Sequence, residues 1–287
     1  MKAILKHELR TYFHSLTAYV FGAFLLVFIG LSAMLYNIKQ AYANFEYVLS
    51  FGCLIFVVIV PILTMRILAE ERKQKTDQLL YSLPLTTSQV IIGKYLALLI
   101  VYMIPLCIIC FYPLIFAQFG DVYLLTAYGS LFAFFLLGAA LIAVGVFISS
   151  LTDNQGFAAG IGIAVILFNY YSVTLAEYVS SSAKGTMIAL WVIGILLGVI
   201  IHLLTKNDNI AYGVTFVIVA ASAIINFAKP ELLEGILPEV TGALSLFDRF
   251  YNFVNGVFDV TAIVFYLTVI VFFLFLSVQS LEKRRYN

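Results

Sequence analysis

Three short stretches and four scattered residues are of types that could do chemistry. Glu70-Glu71 is a pair of carboxylates, the arrangement that shares a proton or, with histidines, holds a metal. Cys107-x-x-Cys110 has the spacing of redox or metal-binding thiols. Lys184-Gly185-Thr186 ends like a phosphate-binding loop. Glu177, His202, Asn169 and Asn226 are polar groups set in apolar runs. None of these completes a site. The other histidines, His7 and His14, lie near the first residue, and no His/Cys/Asp/Glu cluster has metal-ligand spacing. Lys184 has no glycine loop before it, and no G-x-x-x-x-G-K-[ST] occurs, so the chain lacks the usual ATP-binding signature. Cys107 and Cys110 read as two small buried residues on one face of an apolar helix. Glu177 and His202 fall near the ends of apolar runs, where a long side chain reaches the interface.

Composition explains why these groups are sparse. The chain has 287 residues, of which 63% are hydrophobic and 11% charged. Soluble domains have about 45–50% apolar and about 25% charged residues, so lipid must solvate much of this chain. A net charge of +1 excludes bulk nucleic-acid binding as an expectation. Apolar runs long enough to span lie at about 17–38, 47–69, 89–117, 123–150, 155–176, 186–205, 209–228 and 260–281. The expected architecture is all-α and polytopic, a single transmembrane domain over 1–287 with eight spans, or six plus re-entrant segments. Pro105 and Pro113 are expected kink points in the third run. With eight spans and the first residue inside, twelve of the 16 Lys and Arg residues fall on the cytoplasmic side. Both termini are therefore expected there. The apolar stretch after Lys2, Lys6 and Arg10 is long enough to span, so no cleavable signal is expected.

Elements outside the spans have their own signatures. Residues 1–16 read as an interfacial amphipathic helix, with Ile4, Leu5, Leu9, Tyr12 and Phe13 on one face and charges elsewhere. Thr86-Thr87-Ser88-Gln89 and Thr152-Asp153-Asn154-Gln155 fit the T-x-x-Q capping box at two helix starts. Gly156-x-x-x-Gly160 and Gly194-x-x-x-Gly198 permit close helix packing within the chain. Residues 229–259 carry a net charge of −3 among apolar side chains, and are expected as short amphipathic helices on the outer side.

The most informative segment is the cytoplasmic loop over 70–86. It opens with Glu70-Glu71-Arg72-Lys73 and closes with a short apolar helix. Thr76 is the expected N-cap and Pro84 the stop. Leu79, Leu80 and Leu83 share one face. So short a helix is not stable alone in water and needs a surface to dock on. A partner protein would supply it. The expected docking residues are Glu70, Glu71, Arg72, Thr76, Leu79, Leu80, Leu83 and Pro84.

This stretch resembles the coupling-helix region of ABC-2 type permeases, in which an E-R-K-x-G-T-x-E-L-L-like run precedes S-L-P and I-x-x-G-K-x-L. The matching residues are Glu71-Arg72-Lys73, Thr76, Leu79-Leu80, Ser82-Leu83-Pro84 and Ile92-Gly93-Lys94-Tyr95-Leu96. Lys75 stands where Gly is common and Gln78 where Glu is common. A second stretch, Leu244-Ser245-Leu246-Phe247 through Phe250, Phe253, Gly256 and Asp259 to Ser280-Leu281-Glu282-Lys283-Arg284-Arg285, is similar to permeases of the gliding-motility and nitrous-oxide-reductase-maturation branch. The resemblance implies an ABC-2 (type V exporter-like) permease fold without an ATPase site of its own. It implies a separate ATP-binding subunit carrying ATP and Mg, a second permease as homo- or heterodimer mate, and an exporter. Segment 229–259 could meet an extracytoplasmic accessory subunit, and membrane lipid surrounds the whole. Two alternatives stand beside it. An intramembrane enzyme is one, since Glu70-Glu71 is similar to the E-E-x-x-x-R of prenyl-protein proteases, with Lys75 in place of Arg. A channel or secondary transporter is the other.

Overall fold

The computed structural model describes residues 2–75, 86–179, 183–205, 208–228 and 236–285. All regular structure among them is helical. By packing, the chain divides into two units, Met1–Tyr170 with Leu246–Asn287, and Tyr171–Ser245.

In the first unit, α1 (Lys2–His14) precedes α2 (Leu16–Ala33), which runs on into a π-helical stretch, Met34–Lys39. Then come α3 (Glu46–Thr64), α4 (Arg66–Lys73), α5 (Thr87–Ile109), α6 (Tyr112–Phe116), α7 (Leu124–Leu151) and the start of α8 (Gln155–Val179). After the second unit, α12 (Leu246–Val254) and α13 (Val260–Arg285) return to it. The second unit holds the end of α8, α9 (Ala183–Thr205), α10 (Asp208–Ala228) and α11 (Ile236–Leu244).

Six helical stretches among the described residues are long and apolar enough to cross a membrane: Leu16–Lys39, Glu46–Lys73, Thr87–Phe116, Leu124–Leu151, Gln155–Tyr178 and Val260–Arg284. The two other expected runs are also helices, α9 and α10, with apolar stretches Lys184–Ile195 and Tyr212–Asn226 among the described residues. The outer faces fit hydrocarbon. Val20, Phe24, Val27 and Leu31 form an exposed stripe on α2, and Val264, Leu267, Val271 and Phe275 form another on α13. Continuous apolar stripes of this kind are untenable in water and ordinary in lipid.

The hub of the first unit is α7. Nineteen of its 28 residues are buried, and from Ala133 to Val146 the burial runs round the helix, while Leu125, Phe132 and Leu151 nearer its ends are exposed. It packs on α3, α5, α12 and α13. Small residues make this possible. A Cβ added at Gly138 would collide with the Tyr102 ring, and one at Gly145 would collide with Thr64. Tyr102 is fully buried and donates from its hydroxyl to the Phe134 carbonyl at 2.8 Å. Without a hydrophobic drive between helices in lipid, close packing and such hydrogen bonds hold the bundle.

Local signals place several ends. Thr86 is extended and its side chain accepts from the Gln89 amide at 3.3 Å, as the capping pattern requires. At the start of α8 the cap is Asn154, not the expected Thr152. Asn154 Oδ1 accepts from the amides of Gly156 and Phe157 at 2.9 and 3.3 Å, one residue before the helix, where a side-chain oxygen reaches the orphan donors. Pro105 lies inside α5, whereas the chain breaks before Pro113, which sits in the first turn of α6 where its missing N–H costs nothing. Gly194 packs tightly, its would-be Cβ 3.1 Å from Ile218 on α10. Nothing lies within 4 Å of a Cβ at Gly160, so the expected close packing fails there; Gly162 approaches Pro61 instead, at 3.0 Å. Cys107 is exposed on the outer face and Cys110 half-buried, so the pair does not form the buried face expected of it.

Asn169 also has a structural use. Its side-chain oxygen accepts from the Leu246 amide at 3.0 Å, at the start of α12. That helix buries Leu246, Phe247, Phe250 and Phe253 against α3 and α7. Ser130 donates to the Phe253 carbonyl at 3.0 Å and Tyr266 to the Leu246 carbonyl at 2.8 Å.

Candidate functional site: a buried ion cluster at the root of the charged loop

Helix α3 ends at Thr64, and the chain restarts as α4 from Arg66 to Lys73. A break leaves backbone donors of the new helix without carbonyl partners. Ser149, near the end of α7, supplies one. Its hydroxyl oxygen accepts from the amides of Leu68 and Ala69, both at 3.2 Å, and donates to the Met65 carbonyl at 3.1 Å. A serine two residues before the end of a neighbouring helix thus fixes where α4 begins.

The last carbonyls of α7 need donors in turn, and cations suit that end of a helix. Arg72, itself buried, donates to the Ser150 carbonyl. Ser280 of α13 donates to the same oxygen at 3.0 Å, and Arg284 donates to the Leu151 carbonyl at 3.1 Å. Asp153 stands between the two guanidiniums, 2.7 Å from Arg284 and 4.0 Å from Arg72. The end of α13 is therefore bound to the root of the loop.

Lys94 is the centre of the arrangement. It lies two turns into α5 and is 1% exposed. Its ammonium is 2.5 Å from Glu8 Oε1, 2.6 Å from Glu71 Oε1 and 3.2 Å from the Ile67 carbonyl. An ammonium has three donors, and all three are used. An unpaired ammonium at this depth would be very costly, so the two carboxylates are a condition of its burial. Glu8 comes from α1, Glu71 from α4 and Lys94 from α5. Three segments separate in sequence meet at one cation.

Helix α1 is positioned for this. It packs on α5 and α2, and buries Ile4, Glu8 and Tyr12, residues one turn apart on one face. The expectation that its charges lie away from its buried face is thus wrong for Glu8, because Lys94 offers that carboxylate a partner inside. Tyr12 donates to the Leu63 carbonyl at 3.1 Å. Burial, with Glu8 beside it, pushes its hydroxyl well above the ordinary phenol range, so it stays a donor. The Arg66 guanidinium lies 5.9 Å from the Tyr12 ring centre, donates to Glu70 at 2.7 Å and reaches Thr17 at 2.7 Å.

Of the residues expected to meet a partner, Glu70, Glu71 and Arg72 are described, and each has contacts within the chain: Glu70 with Arg66, Glu71 with Lys94 and Arg72 with the end of α7. The two glutamates diverge to different cations and do not form a paired-carboxylate site. Thr76, Leu79, Leu80, Leu83 and Pro84 lie outside the described residues. Sequence reasoning did not single out Glu8, Lys94, Ser149, Asp153 or Arg284 as a cluster. The available signal was Lys94, a charge inside an apolar helix that demands a partner. Glu177 is exposed at the end of its helix. Among the described residues no group of three His, Cys, Asp or Glu is placed to hold a metal.

Both ends of the 70–86 loop lead to one ion cluster: Glu71 stands at its start, and Lys94 sits on the helix that Thr86 caps at its end. Through these contacts the root of the loop touches α1, α5 and α7.

Comparison with curated proteins and with solved structures returns no match. The model of the ABC-2 family transporter proteins matches residues 26–184, more than half of the chain, including the loop, Arg72 and Lys94. The chain belongs to the ABC-2 transporter family: it is a multi-pass, all-helical permease, not itself an ATPase, and its family implies an ATP-binding partner subunit.

Proposed function

We propose that this permease couples to its ATP-binding subunit through the loop over 70–86, and that the complex exports its substrate. Leu79, Leu80 and Leu83 form the docking face in this reading, between Thr76 and Pro84. Glu70, Glu71 and Arg72 anchor the root of the loop to the bundle. ATP and Mg reside on the partner. The observation that carries the reading is the junction of Glu8, Glu71 and Lys94, which ties the loop to three helices through a buried cation. A displacement imposed on such a loop cannot dissipate locally, because separating the ions leaves charges buried without partners. Nucleotide-driven motion of the partner then biases a membrane element between two packings.

In the same reading both termini are cytoplasmic, in the inner membrane of a prokaryotic cell. Lys and Arg placement supports that orientation. The permease pairs with a second permease, identical or related. The Leu244–Arg285 sequence pattern supports placement in the gliding-motility and nitrous-oxide-reductase-maturation branch, and the acidic segment 229–259 offers a surface to an extracytoplasmic subunit. The test is reconstitution with its ATP-binding partner subunit. Leu80→Glu and Leu83→Glu should abolish permease-dependent ATPase activity and co-purification of the partner, with the permease still in the membrane. Coupled activity that survives both changes would refute the assignment of this loop.

A further inference from the structure

At the end of the bundle away from Lys94, the first two turns of α7 and the turn between α12 and α13 border a half-open cavity of about 470 Å³. Its end of the molecule follows from the run of α7, whose other end, Ser149 and Ser150, carries the contacts to α4. Leu125, Tyr128, Gly129 and Phe132 line it from α7, with Phe253 and Phe258 opposite. Phe132 is eight residues into the span, about 12 Å along the helix axis, so the cavity runs from the end of a membrane-crossing helix towards its middle.

We infer that this cavity is a binding site for one acyl chain of a membrane phospholipid, in the leaflet remote from Lys94. The lining decides the chemistry. No charged side chain lines it, and the Tyr128 hydroxyl is already committed to the Cys110 carbonyl at 3.1 Å. Asp259, just past Phe258, is occupied by Asn252 at 3.1 Å and by the Thr261 amide at 2.8 Å. The occupant must therefore be apolar over its enclosed part. The size decides between a chain and a protein. The lining is nine residues, against about 20–30 a side for a stable protein interface, while the volume falls in the usual range for a single small ligand. Leu125, Val257 and Phe258 are exposed at its mouth, which opens it sideways into hydrocarbon.

Two glycines make the room. Gly256 has φ +80°, a conformation that lets the chain turn closely past Thr126. A Cβ at Gly129 meets nothing within 4 Å. A larger side chain at 129 thus fills the cavity without striking backbone, which provides a blocking variant.

The experiment uses the full chain in nanodiscs of phosphatidylcholine containing a phosphatidylcholine with a photoactivatable diazirine near the middle of one acyl chain. After irradiation, labelled peptides are mapped by mass spectrometry. An occupant held about 1.4 kcal/mol more tightly than bulk lipid is enriched roughly tenfold. Peptides containing 125–132 and 253–258 should therefore carry about that excess of label over the exposed stripe Val20–Leu31 of α2. Gly129→Leu should bring the excess to background, and Gly129→Ala, which fits without displacing a neighbour, should lower it partly. Equal labelling of cavity and stripe in the unaltered chain would overturn the proposal, as would an excess that Gly129→Leu leaves intact. The measurement needs neither the partner nor ATP, so its outcome is separate from that of the coupling experiment.

Discussion

Replacing Lys94 by Met keeps the length of the stem and removes the ammonium. The change breaks contacts of 2.5 Å to Glu8, 2.6 Å to Glu71 and 3.2 Å to the Ile67 carbonyl, and leaves both carboxylates facing a site without a cation. Removing one partner of a buried ion pair costs about 3–5 kcal/mol. The two carboxylates are not equivalent. Glu8 has 9% of its side chain exposed and Glu71 22%, so water screens Glu71 more. In double-mutant cycles the Lys94–Glu8 coupling should exceed the Lys94–Glu71 coupling, both within about 0.5–3 kcal/mol. Replacing all three residues by apolar ones (Lys94→Met, Glu8→Leu, Glu71→Leu) should recover most of the loss, because it removes the buried charges along with their attraction. The assay is reversible unfolding in mixed micelles, followed by circular dichroism. A loss for Lys94→Met below about 1 kcal/mol, the range of exposed ion pairs, would show that the cluster is not buried as described. A larger coupling to Glu71 than to Glu8 would refute the argument from screening.

Other outcomes follow from the packing. Gly138→Ala drives a methyl group into the Tyr102 ring and displaces its bond to the Phe134 carbonyl; it should cost about 1–3 kcal/mol, whereas Tyr102→Phe, losing only the hydroxyl, should cost about 1 kcal/mol, both read by the same unfolding. Arg284→Ala should cost at most about 1 kcal/mol in that assay, since its pair with Asp153 is exposed. Asp259 caps α13, and Asp259→Ala should lower stability by about 1 kcal/mol at neutral pH. Desolvation works to raise the Asp259 carboxyl, but hydrogen bonds from Asn252 and from the Thr261 and Ala262 amides outweigh it and hold the group below the usual carboxylate range. A lowered folded-state value stabilises above the unfolded value and is lost as pH falls through the folded one. The difference between Asp259→Ala and the unaltered chain should therefore be constant from neutral pH down to the usual carboxylate range and vanish only in stronger acid.

The sequence alone determined that the protein is a helical bundle in lipid. Sixty-three per cent apolar composition and runs of about 20 residues permit no other solvent, and the period of a spanning helix is written in length rather than in pattern. It also determined the cap at Thr86 and that short amphipathic helices lie within 229–259, of which Leu246–Val254 is one, because a cap is local and a face repeats every turn. What it left undetermined were the meetings between distant segments. Glu8 and Lys94 are 86 positions apart, and nothing in the amphipathic pattern of α1 marks Glu8 as inward until α5 lies beside it. Ser149 resembles any serine near a helix end until the break at Met65 leaves two amides for it to receive. Glu70 and Glu71 look like a pair because they are adjacent, yet neighbouring helical residues point about 100° apart, and only the packed bundle gives one to Arg66 and the other to Lys94. Local chemistry fixes elements and their ends; burial fixes which charges must find each other, and burial exists only once the helices have packed.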